Sequence, residues 1–259
     1  MIKKPLVSVV TPSYNQAQYL EGTILSVLGQ SYKPIEYIII DGGSTDGSLE
    51  IIEKYADQLA YWVSEKDKGQ TDALNKGFAV AHGSILAWLN SDDIYKPEAV
   101  AESVDYLVDH PQVGMVYGDL DFIDENDRVI GKFPAAQTDL KRLRRGYVHI
   151  PQPSAFFRAE VWHKVAPLDD SFYFAMDYDL WVRLARLTEF KYLPGKMWAS
   201  FRLHSGAKTI SADDRCWPEM LRVHYRDGGK TLSPMVMKYL FRKIAAPFIN
   251  WRRRRMFEK

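Results

Sequence analysis

The chain of 259 residues carries 34 Lys or Arg against 33 Asp or Glu, a formal net charge of +1, and 46% of its residues are hydrophobic. That is enough apolar material for one large domain with an ordinary core, and no stretch approaches the roughly eighteen uninterrupted apolar residues that would cross a bilayer. Cys216 is the single cysteine, which excludes a disulfide framework or a thiolate metal cluster within one chain and favours a reducing, cytoplasmic setting.

Residues 6 to 10, LVSVV, and 36 to 40, EYIII, are short runs rich in β-branched residues. Between them Leu20, Ile24, Val27 and Leu28 recur at helical spacing, so the segment predicts a β-α-β unit with parallel strands. The pattern repeats. Leu49, Ile51, Ile52 and Tyr55 predict a second helix, YWVSE at 61 to 65 a third strand, residues 70 to 82 a helix, ILAWL at 85 to 89 a fourth strand, and 97 to 109 a helix opened by Pro97. Strand alternating with helix over the first 110 residues argues for an α/β fold with a doubly wound, mostly parallel sheet flanked by helices and a ligand crevice at the carboxyl ends of its strands. Beyond residue 110 the alternation loosens: 114 to 124 reads as strand, the 130s as strand or extended chain, and 138 to 146 as a basic helix. HIPQPSAFFR at 149 to 158 is followed by a helix near 159 to 165, a helix within 174 to 187 with Asp177 and Asp179 at its amino end, and a late strand at 196 to 204.

Polar residues accumulate where the first four strands end: TPSYN after the first, DGGSTDG after the second, EKDKG after the third and NSDD, residues 90 to 93, after the fourth. Carboxylates at a strand end, in a chain without a cysteine cluster, suit a hard divalent cation such as magnesium or manganese, which prefers oxygen ligands and keeps positions open for phosphate oxygens. Asp92 with Asp93 could supply such a site. Alternatively, one of them caps the helix that Pro97 helps start, and the pair by itself favours that blander reading.

TPSYN, DGGSTD, SEKDKGQTDALNKGFAVAHG and NSDD, in this order on successive α/β units, with AMDYDLWVRL and FRLHSGAKTIS later, resemble the nucleotide-sugar-dependent glycosyltransferases of family 2, which have the GT-A fold. The likeness runs from about Val7 to Ser211. It implies nucleobase contacts at Pro12, Tyr14, Asp41 and Asp67, the base being commonly uracil. Asn90, Ser91 and Asp92 resemble the family's D-x-D motif with Asn in the first position; Asn90 would lie near the ribose and Asp92 would hold a Mn or Mg ion. Leu74 stands where many relatives carry an arginine, so one phosphate or ribose contact is missing at that position. Asp177 matches the aspartate that deprotonates the acceptor hydroxyl, with Met176 in place of a common glutamate. His204 would complete the metal site, Arg202 and Lys208 would face the diphosphate, and His149, Gln152 and Asp179 would lie on the acceptor side.

The resemblance therefore implies an inverting transfer of a hexosyl or N-acetylhexosaminyl group from a nucleoside-diphosphate sugar, UDP-linked by preference, to a hydroxyl of a glycan or lipid-linked glycan in polysaccharide or glycoconjugate biosynthesis. The division expected is a nucleotide-sugar-binding half over 1–110, an acceptor-binding and catalytic half of the same GT-A domain over 111–215, and a helical, basic extension over 216–259. Rival readings are a nucleotidyltransferase, a hydride-transferring Rossmann enzyme and a binding protein with a decayed site. The first two need a glycine-rich phosphate loop after LVSVV, and TPSYNQAQYL is not one.

Residues 234 to 259 hold eight Lys or Arg against the single acid Glu258, a net of +7 that leaves −6 for the preceding 233 residues. Aromatic and apolar residues alternate with those cations, which suits an amphipathic helix on an anionic membrane, on the inner face of the cell membrane, as well as it suits a packed helix with a solvated basic end. No nucleic acid is expected as a partner.

Overall fold

The computed structural model describes residues 4–208 and 213–257. Among the described residues nine strands form one sheet: β1 (Val7–Ser13), β2 (Ile35–Asp41), β3 (Tyr61–Ser64), β4 (Ile85–Trp88), β5 (Ile94–Tyr95), β6 (Val113–Ile123), β7 (Val129–Lys132), β8 (Ala155–Arg158) and β9 (Glu189–Arg202). Their order is β3-β2-β1-β4-β8-β6-β9-β5, with β7 paired to β6. The first four run parallel, β8 is antiparallel to both β4 and β6, and β6 is again parallel to β9. Strands far apart along the chain thus share one curled, mostly parallel sheet.

The helices between them are α1 (Ala17–Leu28), α2 (Ser48–Lys54), α3 (Gln70–Ala79), α4 (Ala99–Asp109), α5 (Leu140–Arg144), α6 (Ala159–Trp162) and α7 (Met176–Leu184), followed by α8 (Asp213–Arg226) and α9 (Pro234–Phe257). Alternation along the strands splits the core in two, as a period of two requires. Val10, Ile38, Ile40, Leu86 and Trp88 face one side, with α3, α6 and α7 over them. Val7, Val9, Ile39, Ile85 and Ala87 face the other, under α1 and α4. Close packing of α3 on the sheet demands a glycine, because a Cβ on Gly77 would stand 2.4 Å from Val10 Cγ1. Leu74, on the same helix, is fully buried in that core, which is what an apolar residue does at a position facing the sheet.

Two features departed from expectation. β5 is a two-residue strand between NSDD and the helix that follows, where no strand was expected, created by pairing of Ile94 with Ser200 and Tyr95 with Ala199. β9 is longer than the predicted 196–204 because it continues through Pro194 and Gly195, which punctuate a sequence as a break. Register shifts against β6 absorb the irregularity, and the Gly195 N–H donates to Asp119 Oδ2 at 2.7 Å.

The register of the parallel strands builds the site. Ser13 is opposite Asp41, and Asp41 is opposite Ser64. Each loop that follows therefore leaves the sheet at one edge.

Candidate active site

That edge opens into a cleft of about 770 Å³. Pro12 and Tyr14 from the end of β1, Gly42 and Asp67 from the next two loops, Asn90, Ser91 and Asp92 after β4, and Gln152, Asp177 and Lys208 from the later part of the chain all line it. Ten side chains or backbone positions from seven separate segments thus meet on one surface. Tyr14 is exposed, so its ring is presented to solvent at the mouth.

Asp41 is treated differently by the fold. It is fully buried, and its carboxylate accepts from the Gly43 N–H at 3.0 Å, the Ser44 N–H at 2.9 Å, Ser44 Oγ at 2.6 Å and Ser64 Oγ at 2.7 Å. Those bonds tie the second loop to β3 and shape the floor on which Gly42 sits. Asp67 accepts from the Gly69 N–H at 2.8 Å and lies against Gly42, where a Cβ would come within 2.8 Å of Asp67 Oδ2.

Asn90 is the hub of a polar chain across the cleft floor. Lys208 Nζ donates to Gln70 Oε1 at 3.0 Å, Gln70 Nε2 donates to Asn90 Oδ1 at 2.7 Å, and Asn90 Nδ2 donates to Asp93 Oδ2 at 3.2 Å and Gln152 Oε1 at 3.4 Å. An aspartate at position 90 would lack the amide donor that meets Asp93, so Asn fits this arrangement. Asp93 is fully buried; burial and then the charge of Asp92 hold its carboxyl well above the usual range. It accepts from the Arg202 N–H at 3.1 Å. Neither acid caps α4, whose N-cap is Glu98 without a side-chain bond.

His204 Nε2 stands 3.0 Å from Asp92 Oδ2, and its ring lies 4.8 Å from that of Tyr19. A carboxylate and an imidazole side by side are donors that Mn or Mg accepts. Among the described residues no group of three or more His, Cys, Asp or Glu is placed to hold a metal ion.

Asp177 sits in the first turn of α7 and accepts from the Tyr178 N–H at 2.6 Å. Burial pushes its carboxyl up, opposed by that N–H and by the charge of Lys208. Burial pulls Lys208 down to about 8, opposed by Asp177 and Glu219. The lysine lies 4.0 Å from the ring centroid of Tyr173 and 5.6 Å from that of Phe174.

Residues 8–176 match the family model for glycosyl transferase family 2. The chain belongs to glycosyltransferase family 2. It is similar to an uncharacterized glycosyltransferase of Mycobacterium tuberculosis, 35% identical over 192 residues that cover 73% of this chain and 72% of that one. A second uncharacterized glycosyltransferase, from Nostoc sp., is 35% identical over 174 residues, which cover 63% of this chain and 54% of the relative, about half its length. Among solved structures, S. aureus TarS 1-349 in complex with UDP-GlcNAc matches with a TM-score of 0.68 at 18% identity, covering 85% of this chain and 66% of that one. The mannosyltransferase PcManGT from Pyrobaculum calidifontis, in complex with GDP-Man and Mn2+, matches at 0.62 and 17%, covering 96% and 84%. At such identities the likeness is one of fold, and the fold of this glycosyltransferase is GT-A.

Asp41, whose carboxylate is taken up by the four bonds above, and His204 are not on the cleft lining, and three further residues that the sequence suggested for this glycosyltransferase's site point elsewhere. Arg202 is buried, its guanidinium donating to the carbonyls of Asp92 at 3.0 Å and Asp124 at 3.0 Å and pairing with Asp127 at 2.6 Å, so it braces the Asp92 loop from behind. Asp179 is buried between Arg183, at 2.9 Å, and Arg226 of α8, because the helical turn from Asp177 carries it to the opposite, packed side. His149 does not line the cleft, and its Nδ1 lies 2.8 Å from the Pro134 carbonyl.

The glycosyltransferase also uses residues that the motifs did not single out. Glu219 of α8 accepts from three consecutive N–H groups just before α7: Tyr173 at 3.0 Å, Phe174 at 2.7 Å and Ala175 at 2.9 Å. A carboxylate here satisfies donors that would otherwise be unpaired at a helix start and complements the positive end of the helix that carries Asp177. Phe122 on β6, Phe133 after β7 and Phe201 on β9 also line the cleft, the rings of Phe133 and Phe201 lying with centroids 6.2 Å and 6.1 Å from that of Phe122. Nothing local in the sequence marks these three residues, since each is an aromatic on or beside a strand, of the kind that fills cores.

Proposed function

We propose that this enzyme transfers a sugar from a nucleoside diphosphate donor to an acceptor hydroxyl with inversion, and that Asp177 is the general base. The observation that carries the reading is the shared cleft: Asp177 and Lys208 line it together with Asp92 and the Tyr14, Gly42 and Asp67 end. Pro12, Tyr14 and Asp67 would hold the base of the donor, a uracil by the family's habit, with Asp41 fixing the loop geometry beneath. TarS with UDP-GlcNAc and PcManGT with GDP-Man support a nucleotide-sugar donor, hexosyl or N-acetylhexosaminyl. Lys208 and Lys66, both on the lining, bring positive charge to the diphosphate.

Asp92 and His204 would hold a divalent cation, the chemistry of which is to neutralise charge on a departing diphosphate; PcManGT with Mn2+ supports that choice of ion. The protein's own contribution is at Asp177. Its carboxylate takes the proton from the acceptor hydroxyl as that oxygen attacks the anomeric carbon from the face opposite the leaving group. The aromatic wall of Phe122, Phe133 and Phe201, with Gln152 beside it, would receive the apolar face and hydroxyls of an acceptor sugar, free or lipid-linked, as in the building of a polysaccharide or glycoconjugate.

Donor screening by thermal shift, with and without manganese, identifies the nucleotide, because a ligand that binds the folded state raises its stability. With that donor, Asp177→Asn is expected to lower transfer by about 10²- to 10⁴-fold without weakening donor binding. Transfer at the parent rate would remove Asp177 from the role, and transfer that persists in EDTA would remove the cation from Asp92 and His204.

A further inference from the structure

Helix α9 is docked on the domain by one face. Met235 and Val236 are buried, and the ring of Tyr239 meets that of Trp217 on α8 at 6.3 Å. Met235 packs so closely on Gly146 that a Cβ there would lie 2.4 Å from its Sδ, and Lys238 lies 3.9 Å from the ring centroid of the adjacent Tyr147. Met237, Leu240, Phe241 and Ile244 are, by contrast, 65%, 51%, 74% and 82% exposed. Their spacing of i, i+3, i+4 and i+7 places them in one stripe, and at about 100° per residue that stripe lies across the helix from the docked side chains. Phe248 and Trp251 continue the same spacing in the sequence. A contiguous exposed apolar stripe on a water-facing helix marks a surface with a partner.

The charge selects the partner. Residues 234–259 carry +7 while the remainder of the chain carries −6. Two copies meeting stripe to stripe would bring two +7 segments together, whereas an anionic lipid surface attracts this segment and repels the rest of the molecule. Lys141, Arg142 and Arg145 on and just after α5 are exposed in the segment that ends at Gly146, where α9 docks, and extend the basic face. Among the described residues no helix is long and apolar enough to cross a membrane. We propose that α9 lies flat in the interface of an anionic membrane, with Met237, Leu240, Phe241 and Ile244 at the acyl boundary and the net positive charge of the segment attracted to lipid phosphates. The segment on which it docks continues through His149 to Ile150 and Gln152, which line the cleft. This surface is independent of the transfer chemistry.

The test is co-sedimentation of the full chain with vesicles of phosphatidylcholine alone or of phosphatidylcholine mixed with phosphatidylglycerol, which makes an anionic surface. The expected result is binding to the anionic vesicles only, weakened as salt rises. Replacing Met237, Leu240, Phe241 and Ile244 together by Gln should weaken it on the order of 100-fold, since four apolar side chains lose their transfer to the boundary. The fold should survive, because those side chains already face water; equal thermal midpoints and equal donor binding check this. Binding unaffected by the four substitutions, or equal binding to neutral vesicles, overturns the proposal. So does a stable dimer that the four substitutions dissolve while vesicles are never bound, which would make a second copy the occupant of the stripe.

Discussion

Replacing Glu219 by Gln tests whether α8 positions the Asp177 helix. The carboxylate accepts one N–H on Oε1 and two on Oε2. Gln keeps a single acceptor oxygen and sets an NH2 group against at least one of the three donors. Hydrogen bonds to a charged group contribute about 1.5 to 3 kcal/mol each, and a donor facing a donor loses at least one of them outright. The segment 173–175 should therefore be less firmly held by about 2 to 3 kcal/mol, roughly 30- to 140-fold in the equilibrium between its docked and released forms. Released, it takes with it the Tyr173 and Phe174 rings that pack on Lys208 and loosens the start of α7. Steady-state kinetics should show kcat falling by tens of fold with donor KM changed far less, while amide exchange over 173–177 accelerates and that of the β1 and β4 strands stays as it was. Glu219→Asp should recover part of the loss. Parent-like kcat together with parent-like exchange at 173–177 would refute the positioning role, and a uniform rise in exchange would mean that Glu219 supports only global stability.

The pH profile should be bell-shaped for the free enzyme. As the proposed base, Asp177 must be ionised, and burial raises it, so the acidic limb should lie above the ordinary carboxylate range; burial lowers Lys208 to about 8, so kcat/KM should fall above that. The sign for stability is opposite for the two ends: a lysine lowered by folding costs stability below about pH 8 and relieves it as pH rises toward its unfolded value, whereas Asp177, raised by folding, costs stability once it ionises. Asp177→Asn should accordingly leave the thermal midpoint at neutral pH equal to the parent's or higher, and a clear fall measured by calorimetry would contradict its burial as an ion. Gly42→Ala would set a Cβ 2.8 Å from Asp67 Oδ2 and turn that carboxylate aside. Donor KM should rise several-fold at near-constant kcat; an unchanged KM would take Asp67 out of donor binding.

The sequence by itself determined the first four β-α units, because Val9, Ile38 and Leu86 sit in short β-branched or apolar runs while Leu20, Ile24 and Val27 keep helical spacing, and those two periods are local properties. The motifs likewise marked the ends of those strands, and parallel pairing brings such ends to one edge whatever the loops do. What tertiary structure decided is where each side chain points once the chain has crossed long distances. The β5 pairing with β9, the burial of Arg202 behind the Asp92 loop and the turning of Asp179 into α8 depend on partners as far as 110 residues away along the chain. The Asn90 chain through Gln70 and Gln152 joins three segments that no single motif contains. Glu219 shows the same limit from the other side. An acid in an ordinary amphipathic helix carries no signal of its own, and it gains a role only because α8 packs against α7 and places its carboxylate under three consecutive N–H groups just before α7.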